Sequence, residues 1–451
     1  MWYRYRQLTT TGVFRVHIKK HLSFSALKTA MAQRFRQIDD SRQQAKVKLP
    51  LHDCLMSGFA MMFFQDPSLL AFQQRIQDQI HQNNLSSVFG VGTIPKDSQM
   101  REVLDTVSPE ALEPIFTDFI ARLQRGKQLS QYQLFPGRYL ISLDGSEYFS
   151  SEAIHCAHCL VSKPKKGKLR YHHQILQSVL VHPDKKQVLP LLPEHIRNSD
   201  GADKQDCEIN AGKRWVHKIR TAHPKLDIII TADGLYSKQP FIDALKRERM
   251  SFILTAKPAD HSLLFQWVND LVQLGDGHSL EIRGPDGRRQ RYLWVNRVPL
   301  NGTKDADELN FFQFQIVTAD NRVTYQNSWV TDIAIDENNV VTLVKGGRAR
   351  WKIENETFNT LKNQGYHIEH NFGHGQQNLS FIFFMLNLLA FTVHQILDLC
   401  DLLYQAVRYR KFTSRMEYFN QLRCTFRIML FRNWEHMLNH ILDPPLLMAP
   451  G

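Results

Sequence analysis

Apolar positions recur every three to four residues through the first third of the chain, a spacing that predicts helices. Leu27, Met31 and Phe35, four apart, mark an amphipathic helix over 23–40. A helical block over 50–82 is interrupted near Asp66-Pro67. The stretch 93–107 enters a helix through Pro95 and Asp97 and turns Met100, Val103 and Leu104 inward. SPEALEPIFTDFIARLQ (108–124) adds another, with a serine cap and proline at the first helical position. Residues 1–135 are therefore expected to be mostly helical.

The texture changes at Pro136-Gly137. RYLISLD is short, apolar and bounded by turn residues, which suits a buried strand. Two or three more strands are expected over 151–196, HHQILQSVLVH among them, linked by the basic loop KPKKGK (163–168). A helix over 203–223 turns Ile209, Trp215, Val216 and Ile219 to its apolar side. LDIIITAD is a clear strand, KQPFIDALKRERM a helix and SFILTAK (251–257) a further strand. From about 262 to 345 the pattern turns β-rich, with a Pro-Asp-Gly turn and with NNVVTLVK read as its last strand. This order predicts an α/β fold, a ribonuclease-H-like core with a β-rich insertion between helical ends. The expected regions are 1–135 (helical, basic), 136–261 (first part of the core), 262–346 (insertion), 347–375 (a helix completing the core) and 376–451 (helical).

Charge adds a partner. The chain carries 56 Lys/Arg against 44 acids, a formal +12. Residues 1–50 hold eleven Lys/Arg against only Asp39 and Asp40, a local +9, with Trp2, Tyr3, Tyr5, Phe14, Phe24 and Phe35 interleaved. Basic side chains neutralise phosphates and aromatic rings stack on bases, so this segment is expected to contact nucleic acid. Residues 401–451 hold seven Lys/Arg against four acids, a milder +3. Six cysteines do not make a disulfide scaffold, and MWYRYRQLTTTG has no apolar leader core. The expected location is the cytoplasm, in association with the nucleoid. LSFIFFMLNLLAFTVHQIL (379–397) is long enough to span a bilayer, but Asn387, His394 and Gln395 interrupt it and Asp398 and Asp401 follow. A buried helix is expected there, and no membrane partner.

Three acids carry the candidate chemistry. Asp144 and Asp233 each end an apolar strand and precede glycine, and Glu354 lies in the helical stretch GGRARWKIENETFNTLKNQGY. Together they suit phosphodiester chemistry, which uses carboxylates to hold a pair of hard divalent cations. Other acids compete less well. Glu147 reads as solvated, Asp227 as a turn, Glu356 as pointing elsewhere on the helix, and Asp206 and Glu208 as surface residues.

The blocks LDGSEYF, ITADGLYS and RWKIENETFNTLKNQGYHIEHNFGHG resemble the signature blocks of DDE transposases from bacterial insertion sequences. The resemblance lies with the ISNCY-type group, near the subgroup marked by a Tyr-Arg-Glu-Lys motif, and covers about 136–375 well. It implies a transposase that cleaves DNA strands at insertion-sequence ends and transfers them to a target. Asp144, Asp233 and Glu354 would be the catalytic acids, holding two Mg²⁺ or Mn²⁺ ions. Arg350, four residues before Glu354, would contact a DNA phosphate. The partners implied are double-stranded DNA, both terminal inverted repeats and target, and further copies of the chain in a dimer or higher assembly. Two motif positions depart: Gly347 stands where the tyrosine is expected and Leu361 where the lysine is expected. Lys362 is one residue late, an offset of about 100° on an α-helix, which weakens it as a phosphate contact. These departures keep open a transposase-derived DNA-binding protein with a degenerate site. A metal-dependent nuclease without strand transfer is the other alternative.

The run His155, Cys156, His158, Cys159, with His172 and His173 downstream, contains ligand types for a structural zinc. It lacks a clear second ligand pair, so the plainer expectation is half-buried thiols in a hairpin. His367, His370 and His374 follow the Glu354 helix, with a supporting role and no assigned chemistry.

Overall fold

A computed structural model describes residues 21–163, 167–197 and 205–444. The basic side chains of Arg4, Arg6, Arg15, Lys19 and Lys20, the aromatic ones of Trp2, Tyr3, Tyr5 and Phe14, and Lys165 and Lys166 of the basic loop lie outside the described residues. So do residues 203 and 204, where the helix over 203–223 was expected to start.

The first part of the chain is helical: α1 Phe24–Arg36, α2 Leu51–Phe63, α3 Leu69–Ile76, α4 Gln79–Asn84, α5 Asp97–Asp105 and α6 Glu113–Arg125. The break at Asp66-Pro67 falls between α2 and α3, because proline disfavours helix in the residue before it. Short strand β1 (Gln133–Phe135) leads into the long β2 (Arg138–Ser151). β3 (Leu160–Ser162), β4 (Arg170–Val181), β5 (Leu189–Pro190) and β6 (Glu194–Ile196) follow. Helix α7 (Glu208–Ala222) then crosses to β7 (Asp227–Ala232), and α8 (Gln239–Arg247) to β8 (Ser251–Thr255).

The strand order explains the fold class. β4 lies antiparallel on one side of β2, and β7 parallel on the other, with β8 parallel beyond it. An antiparallel pair extended by parallel strands with crossover helices is the expected ribonuclease-H-like core. β7 is buried from Ile228 to Ala232, as a strand covered on both faces must be.

The stretch after β8 departs from its expected β-rich character at its two ends. It begins with helix α9 (Ser262–Leu274), whose Leu264 and Val268 are buried. β9 (His278–Arg283), β10 (Arg289–Pro299), β11 (Glu308–Val317) and β12 (Val323–Thr331) then form a meander. This meander is not a separate sheet. β12 pairs antiparallel with β8, so one sheet runs from the core through the insertion. NNVVTLVK, expected as a strand, is instead mostly helix α10 (Val340–Arg348). Its β-branched run misled the reading: Val340, Leu343 and Val344 are the buried positions, and they follow helical spacing.

The C-terminal helices are α12 (Leu379–Cys400), α13 (Leu402–Arg410), α14 (Arg415–Ile428) and α15 (Trp434–Leu442), preceded by a short α11 (Asn359–Asn363). α12 is apolar and long enough to cross a membrane, yet 94% of its most apolar window is buried inside the protein. Its polar interruptions each make a hydrogen bond there. Asn387 Nδ2 donates to the Tyr366 carbonyl at 2.7 Å, His394 Nδ1 meets the Tyr366 hydroxyl at 2.7 Å, and Gln395 Oε1 accepts from Val188 N at 3.1 Å. Helices from both ends of the chain share this core: Phe24 packs on Trp434 with ring centroids 4.9 Å apart, and Phe64 on Phe426 at 4.6 Å.

Candidate active site

β2 and β7 run in parallel register, with Arg138 beside Asp227 and Ser142 beside Thr231. Continued two residues further, that register sets Asp144 beside Asp233. Parallel neighbours lie about 4.8 Å apart, so the two carboxylates emerge together where the strands separate. Asp233 turns the chain off the sheet, its Oδ1 accepting from Leu235 N at 2.9 Å.

Glu354 comes from a later helical turn and still reaches this place. Its Oε1 accepts from Arg350 Nη1 at 2.8 Å, and the same nitrogen lies 3.4 Å from Asp144 Oδ2. Arg350 is buried, with its guanidinium over the Trp351 ring at 4.4 Å, and its backbone carbonyl accepts from Ser142 Oγ at 3.0 Å. So the Glu354 segment is tied to β2 by both backbone and side chain. The guanidinium expected to grip phosphate is directed, in this arrangement, at two of the acids.

A fourth carboxylate joins them. Glu208, expected on the surface, opens α7 and points its carboxylate at β2. A Cβ on Gly145 would sit 2.3–2.6 Å from the Glu208 carboxylate atoms. The glycine after Asp144 therefore leaves the room that Glu208 occupies. Tyr236 OH donates to Glu208 Oε2 at 3.2 Å. Burial pushes the Glu208 carboxyl up, the Tyr236 bond pulls it down, and Asp233 raises it again. Asp144 shows the crowding most. Burial first, opposed by Arg350 and reinforced by Asp233, Glu354 and Glu208, pushes its carboxyl up to about 7.

Three further carboxylates around Asp144, with one guanidinium among them, leave an excess of negative charge in a partly buried place, which hard divalent cations fit. Among the described residues, no three carboxylates bring ligand oxygens within 4.8 Å of one another. Like charges with a single cation among them stay apart.

The two departures from the expected motif have packing causes. A Cβ on Gly347 would lie 2.6 Å from the Trp329 indole of β12, so no tyrosine fits where the insertion packs under α10. Leu361 is 1% exposed and belongs to the core. Lys362 is part-exposed and pairs with Glu369 at 2.8 Å. Its one-residue delay is offset by the backbone. Ile353–Phe358 form a π-helical turn, in which Asn359 N–H donates to the Glu354 carbonyl five residues back. Such a turn absorbs one extra residue, so residue 362 takes the angular place that 361 would hold in an uninterrupted α-helix. Nothing in the residue pattern signals this turn.

The competing acids lie elsewhere. Glu147 pairs with Arg170 and Asp227 with Arg138. Asp206, expected to be exposed, is largely buried against Arg214 at 2.6 Å.

A family model described as a transposase DDE domain matches residues 157–392. That span takes in Glu208, Asp233, Arg350, Glu354 and Lys362, while Asp144 precedes it. Among solved structures the chain is similar to a piggyBac transposase in a synaptic complex with hairpin DNA. The identity is 11% and the TM-score 0.39, over 95% of this chain and 81% of that one. No curated protein matches the chain.

Proposed function

Because this chain belongs to the transposase DDE-domain family, whose members are polynucleotidyl transferases and use divalent metal ions, we propose that Asp144, Asp233 and Glu354 are its catalytic acids. They would hold two Mg²⁺ or Mn²⁺ ions and act on double-stranded DNA at the ends of an insertion sequence. The observation that supports this reading is that Asp233, Glu354 and Glu208 all act on the Asp144 carboxyl, with Arg350 joining Asp144 to Glu354.

When bound, a pair of such ions activates the attacking oxygen and stabilises the leaving oxygen of an in-line displacement. The protein's own part is positional. Parallel register holds the two aspartates side by side. The Ser142–Arg350 bond and the π-helical turn hold Glu354 over them. Arg350 neutralises part of the acid charge and keeps Asp144 and Glu354 oriented. Lys362, on the Glu354 side of the helix, suits a phosphate of the DNA backbone, as the basic segment 1–50 does. Cleavage frees a 3′-hydroxyl, which the same acids orient toward target DNA for joining. Paired DNA ends call for a dimer or higher assembly on DNA.

The degenerate-site alternative expects Glu354 turned into the core, and its side chain is instead 37% exposed and faces Arg350. The test is a strand-cleavage and joining assay with Mg²⁺ on DNA carrying the sequences that flank the reading frame. Wild type is expected to cut and join, and Asp144→Asn, Asp233→Asn and Glu354→Gln to do neither. Variants that cut as fast as wild type overturn the assignment, and cutting without joining indicates a nuclease.

A further inference from the structure

A second ligand set lies along β2 and β4, and it does not depend on the catalytic assignment. Cys156 and Cys159 sit in a turn between β2 and β3, where Cys159 N donates to the Cys156 carbonyl at 3.3 Å. His173 comes from β4, opposite Phe149. His374 comes from the loop that leads into α12, 201 residues beyond His173. His172, the other candidate, points to the opposite face of its strand and takes no part.

The four ligand atoms converge. Cys156 Sγ and Cys159 Sγ are 3.9 Å apart, and His173 Nε2 lies 3.6 and 3.4 Å from them. His374 Nε2 lies 3.5 Å from Cys159 Sγ and 3.1 Å from His173 Nε2. All four atoms fall within 4.8 Å of one another. Zinc bonds of about 2.3 Å to sulfur and about 2.0 Å to nitrogen give a tetrahedron with edges of about 3.8 Å (S–S), 3.5 Å (S–N) and 3.3 Å (N–N). The observed separations follow those edges. The sulfurs are too far apart for a disulfide, which needs about 2.05 Å.

The surroundings fix the same donor atoms. His374 Nδ1 faces the Gly375 carbonyl at 2.9 Å, a bond that puts the proton on Nδ1 and leaves the Nε2 lone pair for a ligand bond. His173 Nδ1 is buried with no polar partner, so Nε2 is its working nitrogen. Phe149 packs on the His374 ring at 4.5 Å and Tyr148 stacks on His173 at 5.8 Å, and these rings shield the cluster from water. Cys159, His173 and His374 are buried.

We propose that Cys156, Cys159, His173 and His374 form a structural zinc site that staples the loop following the Glu354 helix to β4 and the turn after β2. Four protein ligands leave no open position, so the ion's role is structural. The site joins a turn, a strand and a distant loop, and metal affinity becomes folding stability for that junction.

The test is elemental analysis of the full chain, expressed with zinc and purified without chelator. About one zinc per chain is expected. Cys159→Ser and His374→Ala should each lose most of it, while Cys207→Ser, an exposed cysteine elsewhere, should keep it. Cobalt-loaded wild type should show the visible bands of a tetrahedral two-thiolate site, a readout that survives if the variants do not fold. Folded wild type without stoichiometric zinc, cobalt protein without thiolate bands, or a folded Cys159→Ser variant that retains full zinc overturns the proposal.

Discussion

The acid cluster and the Cys–His cluster each draw one residue from the paired strands β2 and β4, Asp144 from β2 and His173 from β4, and are built on opposite principles. Asp144 pairs with Gln177 across β2 and β4, and Phe149 pairs with His173. Along β4 the two sites are therefore four residues apart, about 13 Å. At the first site, charged oxygens gather around one guanidinium and stay spread. At the second, two sulfurs and two imidazole nitrogens already stand at tetrahedral separations. Hard carboxylates repel until cations arrive, while thiols and neutral imidazoles pack together without that penalty. The difference suits exchangeable ions at one site and a captive ion at the other.

The largest expected effect tests that contrast by amide substitution. Asp144→Asn, Asp233→Asn or Glu354→Gln should cut strand cleavage by about a thousandfold or more, the loss of about 4 kcal/mol of charge stabilisation. Folding should persist, since removing one like charge from a crowded cluster relieves repulsion. Glu208→Gln should cost much less, about tenfold, if that acid shapes the cluster's charge without holding an ion. Gly145→Ala should match Glu208→Gln, because its methyl displaces the same carboxylate. Equal thousandfold losses for Glu208→Gln and Glu354→Gln would make Glu208 a full member of the catalytic set. Metal removal separates the two sites further. Washing out Mg²⁺ should abolish cleavage reversibly and leave the thermal midpoint nearly unchanged. A strong chelator that extracts zinc should lower the midpoint.

Restoring the expected motif residues should harm the protein. Gly347→Tyr drives a ring into Trp329, and Leu361→Lys buries a charge in the core. Each should cost about 3 kcal/mol or more and reduce soluble yield, measured by denaturant unfolding. A Gly347→Tyr variant that is stable and more active would show that the space beside Trp329 is available after all.

What could be read from sequence follows from how local each signal is. The apolar run of β7 and the two Asp-Gly pairs announce themselves within a few residues, so the core strands and the two aspartates were legible. Asp144, expected to end its strand, instead lies in the middle of β2, which runs on to Ser151 in pairing with β4. Glu354 was legible because Arg350 stands one helical turn away. Three things were not. The π-helical turn is a backbone choice that Ile353–Phe358 do not advertise. Glu208 reaches the site only through the tertiary path of α7. His374 meets Cys159 across 215 residues, so its role belongs to the fold rather than to any local spacing. α10 was misread because valines favour strands until packing imposes a helix.

Asp105 connects the His374 arm to the helical body. Its Oδ1 accepts from Gln377, Asn378 and Leu379 N at 2.9–3.0 Å, and its Oδ2 from Gln376 N at 2.9 Å, which caps α12 just beyond His374. Burial pushes this carboxyl up, but the four backbone donors outweigh it and hold it below its ordinary value. A depressed folded value means stability that is present above the unfolded value of 3.8 and lost as pH falls through the folded one. Asp105→Ala should cost about 1–2 kcal/mol at pH 7, and the gap from wild type should close in acid. If the zinc staple alone holds the loop, the gap will be absent at neutral pH while zinc is bound.

The smallest effect concerns Lys362, and it asks whether the π-helical turn matters to the acid cluster. The turn brings residue 362 to the Glu354 side of the helix, and pairing with Glu369 leaves it part-exposed. A single phosphate contact contributes modestly to affinity and carries a salt dependence of about one unit in log–log slope. Lys362→Ala should therefore weaken DNA binding severalfold and lower that slope by about one, with folding intact. Deleting Asn359 would convert the π turn to an α turn and leave Lys362 in the angular place it already holds, because the turn's extra residue is the one removed. If phase is what counts, this deletion should keep near wild-type binding where Lys362→Ala loses it, and should lose cleavage only if it also shifts Glu354. Unchanged binding in Lys362→Ala would mean that Lys362 serves Glu369 alone, and that DNA is gripped by the basic residues at the ends of the chain.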